Sequence, residues 1–584
     1  MIKFKNKFKF LKNKYFWIFI AIVLLGIFLR AYNFTPWLHF ELDQSRDATL
    51  IREAIEGGPG DLPLLGPRAA GTFLRLGPAF YYIEYAFSWI FGATPQGSAY
   101  AILFFAVLAL PALYLLFRRY FSNKLTLALL TVFSTSLFMV TYARFSWNPN
   151  MLPFFVVIFL WIMLKVVDIE EDKKRGYWLL LAATVFGILA QFHFLALIIL
   201  SITAAFFILY KRPRIKPLFW GLSILIFALL HFPAILNDIK TGGDNAELFI
   251  EAVTDKSDSD KDYALLEKVS ENYSEHTLKY WIMITGSQTA EVPDLDVVAN
   301  NNLDIKCDQE CRDNLFKGVL AFGFFTLGII VFLFELFREK DVKKRDFLVL
   351  NAILFLVSFG VFTPLAFDIS PRFFLIVTPL PFIFLGLVIK RLGKILKFKN
   401  FAWIVATILV AFNLYFTVNF LIQLNNAEKK FFDIGKDRIL KQKTRITLEQ
   451  EMAIADYMEN FYLENKYPVF YKGQSEFHRA FAYILDGRKV PRDGISKSKI
   501  CRQGNYFLII RTQSDINNYL SYFRKFDLLE EKLFGTLRVF HLTPKQEAIT
   551  CEKPDQSKFR NYKGEGGSVA KRYIWNEIFE EDQK

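Results

Sequence analysis

The chain has 584 residues, of which 53% are hydrophobic and 17% aromatic, and its formal net charge is +14. Phe alone accounts for 65 residues, most of them inside long apolar runs that a soluble protein of this length would not need. The composition therefore excludes an ordinary soluble protein and indicates a polytopic α-helical membrane protein.

The positive charge lies in short segments between the apolar runs. These segments are KFKNKFKFLKNK at the start, RRYFSNK from Arg118, EEDKKR from Glu170, KRPRIK from Lys211, REKDVKKR from Arg338 and KRLGKILKFK from Lys390. Clusters on every second connection are typical of cytoplasmic loops, whereas a surface for nucleic acid would not be divided in this way. The pattern predicts a bilayer protein with no nucleic-acid partner.

About eleven runs are long enough to cross the hydrocarbon layer, which takes about 20 apolar residues. They lie near 15–33, 98–117, 125–143, 151–167, 176–191, 194–210, 217–236, 315–337, 347–366, 371–389 and 401–423. The first run is followed by further spans and has no A-x-A-like cleavage site, so we expect a retained anchor. We predict a multi-pass protein of the cell membrane whose N-terminus lies in the cytoplasm. With that orientation, every basic cluster falls on the cytoplasmic side of the membrane.

Three segments on the outer side are then large. Two of them are loops of a transmembrane domain that comprises residues 1–423: the first external loop is 34–97 and the second large loop is 237–314. The third is an external domain of residues 424–584. In that domain LEQEMAIADYMENFYLEN reads as an amphipathic helix, and PVFYKG and NYFLIIR read as strands. The sequence predicts a small extracytoplasmic α/β domain at the C-terminus.

All four cysteines fall in these external segments, which fits disulfides in an oxidising compartment. They are Cys307, Cys311, Cys501 and Cys551. Spacing alone does not fix the pairing; Cys307 with Cys311 and Cys501 with Cys551 is the local arrangement. A structural metal site is the alternative, although no His lies at the spacing that such sites use.

The first external loop opens with LDQSRDATLIREAIEGG, which reads as a helix closed by Gly57 and Gly58. Asp43 and Asp47 are four residues apart and therefore share a helix face. Their mutual repulsion would be relieved by a neighbouring cation such as Arg46, by a divalent metal ion or by protonation. A solvated helix face is the ordinary alternative for such a pair.

The loop continues with GPRAAGTFLRLGPAFYYI, where two Gly-Pro turns bracket Arg68 and Arg75. The guanidinium fork matches two phosphate oxygens at once. Tyr81 and Tyr82 follow in an aromatic run, which suits either a sugar ring or the membrane interface.

Polar residues also gather at the outer ends of later spans. They are Arg144, Trp147, Asn148 and Asn150 in TYARFSWNPNMLP, Gln191 and His193 in QFHF, His231, Asn237 and Asp238 in HFPAILND, and Asp368 and Arg372 in AFDISPRFF. A transporter more often carries ionisable groups at the middle of the membrane. Convergence at the outer ends favours an enzyme that works at the interface.

These segments resemble the GT-C type membrane glycosyltransferases, and in particular glycosyltransferase family 39, which includes protein O-mannosyltransferases and aminoarabinose lipid A transferases. The resemblance rests on LDQSRDA, GPRAAGTFLRLGPAFYYI, YARFSWNPNMLP, QFHF and SPRFFLIVTPLPFIF, spread over about the first 390 residues. It implies a polyprenyl-phosphate sugar donor, an acceptor on a lipid, glycan or protein, and inverting transfer on the extracytoplasmic face.

The resemblance also implies an acidic catalytic base in the first loop, a role that carries to Asp43. Many relatives have an Asp-Glu pair here, whereas this chain has Asp43-Gln44, so Asp47 becomes the second candidate carboxylate. The candidates for binding the donor phosphate are Arg372, Arg144, Arg68 and Arg75, with Arg372 first. The candidates for positioning substrate are His193, Asn148, Tyr81 and Tyr82; Asp43 and Asp47 could hold a metal ion.

Two other functions fit parts of the pattern. A flippase of lipid-linked sugars would share the span count and the basic charge, but would depend on residues at the membrane midplane. A scaffold whose external domain binds wall material would tolerate the loss of both Asp43 and Asp47.

Overall fold

The computed structural model describes residues 13–69, 72–254, 263–298, 302–431, 433–496, 498–559 and 571–581. Most of the first basic segment, which the sequence places in the cytoplasm, lies outside these residues. The described chain forms a large helical bundle followed by a smaller α/β domain.

The bundle contains seventeen described helices and one hairpin. They are α1 (Lys14–Ala31), α2 (Leu42–Gly57), α3 (Ala79–Phe91), α4 (Pro95–Phe117), α5 (Asn123–Thr135), α6 (Leu137–Tyr142), α7 (Leu152–Asp168), α8 (Asp172–Leu189), α9 (Phe194–Lys211), α10 (Pro217–Leu230), α11 (Phe232–Thr241), α12 (Asp244–Thr254), α13 (Leu265–Thr285), the hairpin β1 (Asp294–Val298) and β2 (Asn302–Lys306), α14 (Gln309–Arg338), α15 (Val342–Phe362), α16 (Pro379–Ile395) and α17 (Phe401–Asn426).

Seven of the described helices are long and apolar enough to cross a membrane: α1, α4, α7 with its preceding turn, α9, α14, α15 with its following turn, and α17. Helices α10 and α11 form an eighth candidate, bent by 62° between them. The chain is thus a multi-pass membrane protein. The count of about eleven spans stays a prediction, because three of the predicted runs become shorter or interrupted helices.

The run 125–143 divides at Ser136 into α5 and α6, and the hydroxyl of Ser136 donates to the carbonyl of Met283 at 2.7 Å. The run 371–389 begins as a single 3-10 turn over Pro371–Leu375 before α16. The run 176–191 belongs to α8, whose first turn carries the charged sequence DKKR. Hydropathy alone does not register such breaks and charged ends.

Helix α13 lies within the segment expected to form the external loop 237–314, yet its second half is part of the bundle core. His276, Thr277, Tyr280 and Met283 are fully buried there, between α14, α16 and α17. The apolar part of α13 is too short to be read as a span. Small residues let neighbouring helices approach closely, as at Gly328, where a Cβ would come within 2.7 Å of the Phe384 ring.

The second domain is the expected small α/β unit. It contains α18 (Leu448–Asn465), β3 (Val469–Gly473), α19 (Ser475–Gly487), β4 (Arg492–Gly494), β5 (Asn505–Arg511), α20 (Leu520–Phe523), β6 (Phe526–Phe534) and β7 (Leu537–Pro544), and α21 (Trp575–Glu581) ends the described chain. The sheet order is β4-β3-β5-β7-β6. Strand β3 is parallel to β4 and β5, while β7 is antiparallel to both of its neighbours.

Disulfides join Cys307 to Cys311 at the start of α14 and Cys501 to Cys551 beside β5. The pairing is therefore the local one. The second bond closes a loop of 50 residues around the three-stranded part of the sheet that contains β5, β6 and β7.

The α/β domain is fastened to the first external loop by backbone hydrogen bonds. The amide of Leu448 donates to the carbonyl of Leu38 at 2.9 Å, and the amide of Glu449 donates to that of Pro36 at 3.0 Å. From α2, Arg52 donates to the carbonyl of Tyr483 at 3.0 Å and lies 4.0 Å from the centre of its ring. These contacts set α2 between the bundle and the α/β domain.

Candidate active site

A cavity of about 650 Å³ lies where the bundle, the first external loop and the α/β domain meet. Its residues come from the start of α2, from the turns after α6 and before α16, and from two parts of the α/β domain. They are His39, Glu41, Leu42, Asp43, Gln44, Tyr142, Phe145, Trp147, Ser370, Pro371, Arg372, Ile439–Lys443, Gln474, Glu476, Arg511, Gln513 and Ser514. The volume is within the range typical of small-molecule sites.

Helix α2 forms as its sequence predicts and presents its first turn to the cavity. Glu41 caps the helix, and the side chain of Gln44 accepts a hydrogen bond from the Glu41 amide at 3.2 Å. The helix ends at Gly57, and Gly58 has a φ of 104°, which suits glycine. Asp43 lies in the first turn, where the helix dipole favours a negative charge.

Asp43 is held by hydrogen bonds to both of its oxygens. Arg46 donates to Oδ1 at 2.9 Å, and the indole N–H of Trp147 donates to Oδ2 at 3.0 Å. The side chain is still 43% exposed, so the carboxylate is accessible from the cavity. Asp43 is thus fixed in orientation and able to contact a bound molecule.

Asp47 shares the helix face of Asp43 but is enclosed by its neighbours, with only 2% of its side chain exposed. Arg46 donates to its Oδ1 at 2.8 Å, and so does the hydroxyl of Tyr81 at 3.0 Å. Burial raises the pKa of Asp47, and Arg46 opposes that rise. Asp47 does not line the cavity, so the geometry gives it the role of holding Arg46 and not that of a second base.

A further carboxyl group, which sequence reasoning missed, is buried beside Asp47. Glu84 of α3 is fully buried and accepts a short hydrogen bond from the hydroxyl of Ser146. Burial, with the nearby charge of Asp47, raises the pKa of Glu84 well above its usual range.

Arg372 and Asp43 both contact Trp147, Asp43 at the indole N–H and Arg372 at the ring. The guanidinium of Arg372 is 4.8 Å from the centre of the Trp147 ring. Among the described residues it has neither a hydrogen bond nor an ion pair, and it lines the cavity. An arginine stacked on an aromatic face and free to bind is well suited to a phosphate group.

The other three arginines proposed for phosphate lie outside the cavity and are engaged elsewhere. Arg144 donates to the carbonyls of Arg30 and Tyr32, each at 2.9 Å, and so closes the C-terminal end of α1. Arg68 donates to the carbonyl of Thr72 at 2.8 Å and lies over the Phe73 ring. Arg75 is buried near the carbonyl of Gly66. Their positions support structural roles.

The residues expected to position substrate are likewise spread. His193 caps α9 by accepting from the amide of Leu195 at 3.2 Å, and burial lowers its pKa to about 3. Asn148 donates to the carbonyl of Phe192 at 2.6 Å. Tyr82 donates to the carbonyl of Pro63 at 3.1 Å. None of these side chains is among those that line the cavity.

The site does not resemble a metal centre in the described part of the chain, where no group of three or more His, Cys, Asp or Glu side chains converges. The place between Asp43 and Asp47 is taken by Arg46, whose Nη1 and Nε bond one oxygen of each carboxylate. These two residues therefore do not fit a shared hard cation, which takes six or more oxygen ligands in proteins.

Sequence reasoning also missed the wall that the α/β domain contributes. Gln442 donates to Glu41 at 3.1 Å and contacts His39 at 3.3 Å, across 401 and 403 residues of sequence. Behind it, Asp437 binds Arg445 at 2.7 Å and accepts from the amides of Ile439–Leu440. The segment KDRILKQKTR, residues 436–445, is basic, but nothing in the sequence around it predicts that it contacts α2.

Alignment with a solved structure over most of the chain shows the GT-C fold and so confirms the predicted fold class. ArnT from Cupriavidus metallidurans, in its apo state, aligns with a TM-score of 0.52 at 11% identity, over 91% of this chain and 98% of that one.

Two further solved structures align less closely. ArnT bound to undecaprenyl phosphate gives a TM-score of 0.46 at 12% identity, over 92% of this chain and 99% of that one. The archaeal oligosaccharyltransferase AglB from Archaeoglobus fulgidus, in complex with an inhibitory peptide and a dolichol-phosphate, gives 0.46 at 13% identity, over 93% and 75%. No sequence-family profile and no curated protein sequence matches the chain.

Proposed function

We propose that this protein is a membrane glycosyltransferase that moves a sugar from a polyprenyl-phosphate donor to an acceptor hydroxyl on the extracytoplasmic face. The observation that carries the proposal is that Asp43 and Arg372 both contact Trp147, within one cavity of a GT-C bundle. A carboxylate able to take a proton and a cation able to take a phosphate are the two groups that this reaction needs.

The chemistry follows from those two roles. The acceptor oxygen attacks the anomeric carbon while Asp43 takes its proton, which is help worth roughly 10²–10⁴-fold. The bond between the anomeric carbon and the phosphate oxygen breaks, and its electron pair leaves with the lipid phosphate. Arg372 stabilises the charge that grows there. A single displacement inverts the anomeric centre.

The burial of Asp47 supports a single base. Arg46 links Asp47 to Asp43, so the second carboxylate acts on the first through a shared cation. Arg46 thus supplies a positive charge between the two carboxylates, and we propose that transfer proceeds without added divalent metal.

The test is sugar transfer by purified protein in lipid vesicles, with a radiolabelled polyprenyl-phosphate sugar. We expect wild type to release polyprenyl phosphate, Asp43→Asn to lose at least 10²-fold in rate, and Arg372→Ala to bind the donor more weakly. Glu53→Gln is the matched control, because Glu53 is an exposed carboxylate on the same helix outside the cavity.

Two results would contradict the proposal. A near-normal rate for Asp43→Asn would remove the base assignment, and unchanged donor affinity for Arg372→Ala would remove the phosphate assignment. If no protein released polyprenyl phosphate with any of several sugar donors, movement of intact donor across the vesicle membrane would become the function to measure.

A further inference from the structure

The wall of the cavity that belongs to the α/β domain has a chemistry of its own. Gln474, Gln513 and Ser514 line it, and the amide of Gln474 donates to the Ser514 hydroxyl at 2.9 Å. Arg511 is held beside them by Gln474 and Glu476, each at 3.2 Å. Amides and hydroxyls at a cavity surface match the alternating donors and acceptors of a saccharide.

Lys441 and Lys443 line the same cavity and flank Gln442. The amide of Gln442 is turned towards α2 and is fully engaged by Glu41, His39 and Arg445. Both lysines are exposed, and neither has a hydrogen bond or ion pair with a described residue. The segment is rigidly held while its two cations remain available.

The charges in the cavity leave an excess of positive charge. Asp43 is paired with Arg46 and Glu476 with Arg511. Glu41 is the remaining carboxylate, and 11% of its side chain is exposed. Burial lowers the pKa of His39, and the charge of Glu41 opposes that shift. Because Arg46 is shared between Asp43 and Asp47, the lining itself carries four cations, Arg372, Arg511 and the two lysines, against the three carboxylates Glu41, Asp43 and Glu476.

The proposed function assigns Arg372 to the donor phosphate and leaves the two lysines without a role. Gln442 bonds Glu41, two residues before Asp43, so the segment that carries the two lysines is anchored close to the proposed base. We propose, on the basis of the function proposed above, that the acceptor is an anionic saccharide whose negative group binds Lys441 and Lys443 while its hydroxyl faces Asp43. Either a carboxylate or a phosphate on the sugar would supply the negative charge that the two lysines bind.

The test is binding, measured by calorimetry on the full chain in phosphatidylcholine discs without donor. The probes are a galacturonate tetrasaccharide, a phosphorylated mannose tetrasaccharide and the neutral form of each. We expect the anionic forms to bind at least tenfold more tightly, with affinity falling as salt rises. The tighter of the two anionic probes identifies carboxylate or phosphate as the natural group.

The double variant Lys441→Gln/Lys443→Gln should bind the anionic probes more weakly by about tenfold or more. Each exposed ion pair contributes up to about fivefold to the affinity, and the variant removes two. Its effect on the neutral probes should be small. Lys489→Gln/Lys553→Gln is the matched control. Lys489 is exposed and has the same φ of 57° as Lys441, and Lys553 is an exposed lysine far from the cavity lining.

Equal affinity for neutral and anionic saccharides, or unchanged affinity in the double variant, would overturn the proposal. So would a tetraglutamate peptide that binds as tightly as the anionic saccharides. The readout is independent of the transfer reaction: Asp43→Asn should keep saccharide binding and lose polyprenyl phosphate release. A protein that binds anionic saccharide but never releases polyprenyl phosphate would contradict the proposed function alone.

Discussion

Trp147 joins the proposed base to the proposed phosphate site, and its two interactions can be separated by substitution. Trp147→Phe removes the N–H that donates to Asp43 at 3.0 Å but keeps an aromatic face under Arg372. Trp147→Leu removes both. Trp161→Phe is the matched control, because Trp161 packs against Trp178 in the bundle outside the cavity.

The expected losses follow from the geometry. A hydrogen bond to a charged group contributes about 1.5–3 kcal/mol. Asp43 is 43% exposed and keeps its bond to Arg46, so we take the lower end, which is about tenfold. The stacking of Arg372 at 4.8 Å contributes about 1 kcal/mol, or about fivefold in donor affinity.

The assay is steady-state transfer with labelled donor, together with a separate measurement of donor affinity. We expect Trp147→Phe to lower kcat about tenfold while donor affinity stays within about twofold, and Trp147→Leu to weaken the donor about fivefold in addition. A kcat equal to wild type for Trp147→Phe would refute the orientation of Asp43 by the indole. Equal donor affinity in all three proteins would refute stacking as part of the phosphate site.

Three further predictions concern the surroundings of the site. Arg46→Met should destabilise the protein by about 3–5 kcal/mol, because it leaves the carboxyl of Asp47 buried without its cation, and a thermal melt should show a larger loss than for Lys553→Gln. Replacing the pair Cys501–Cys551 by serines should lower the unfolding free energy of the α/β domain by about 4 kcal/mol in denaturant, since the bond closes a 50-residue loop; reduction of the wild type should reproduce the loss. Burial, with neighbouring Glu275, raises the pKa of Glu271 to about 7. Its contribution to stability is therefore present below the unfolded pKa and is lost as the pH rises through 7. Glu271→Gln should make the melting temperature vary less between about pH 5 and 8, and an unchanged profile would contradict the shift.

The sequence predicted those features that depend on local pattern. Apolar runs and basic connections predicted the helical bundle, and the Gly57-Gly58 pair predicted the end of α2 to within a residue. Asp43 was the first candidate base and Asp47 the second, but a shared helix face says nothing about what covers each side chain. Tyr81 and Arg46 cover Asp47, while the side of Asp43 opens to the cavity.

Features that depend on distant contacts were not predictable from one sequence. Arg144 has the residue type and position of a phosphate ligand, yet its guanidinium closes α1. Trp147 is one of several aromatic residues at the outer span ends in the sequence, and only the fold brings its indole into contact with both Asp43 and Arg372. The α/β wall was missed for the same reason, because Gln442 meets Glu41 across 401 residues.

That separation has a consequence for biosynthesis. Glu41 leaves the ribosome 401 residues before Gln442, which at ordinary elongation rates is a delay of roughly 20–80 s. Throughout that interval the membrane already holds the first helices and Asp43, but the cavity lacks a wall. A chain that stalls or is cut before residue 439 would lack every side chain that the α/β domain contributes to the cavity, from Ile439 to Ser514.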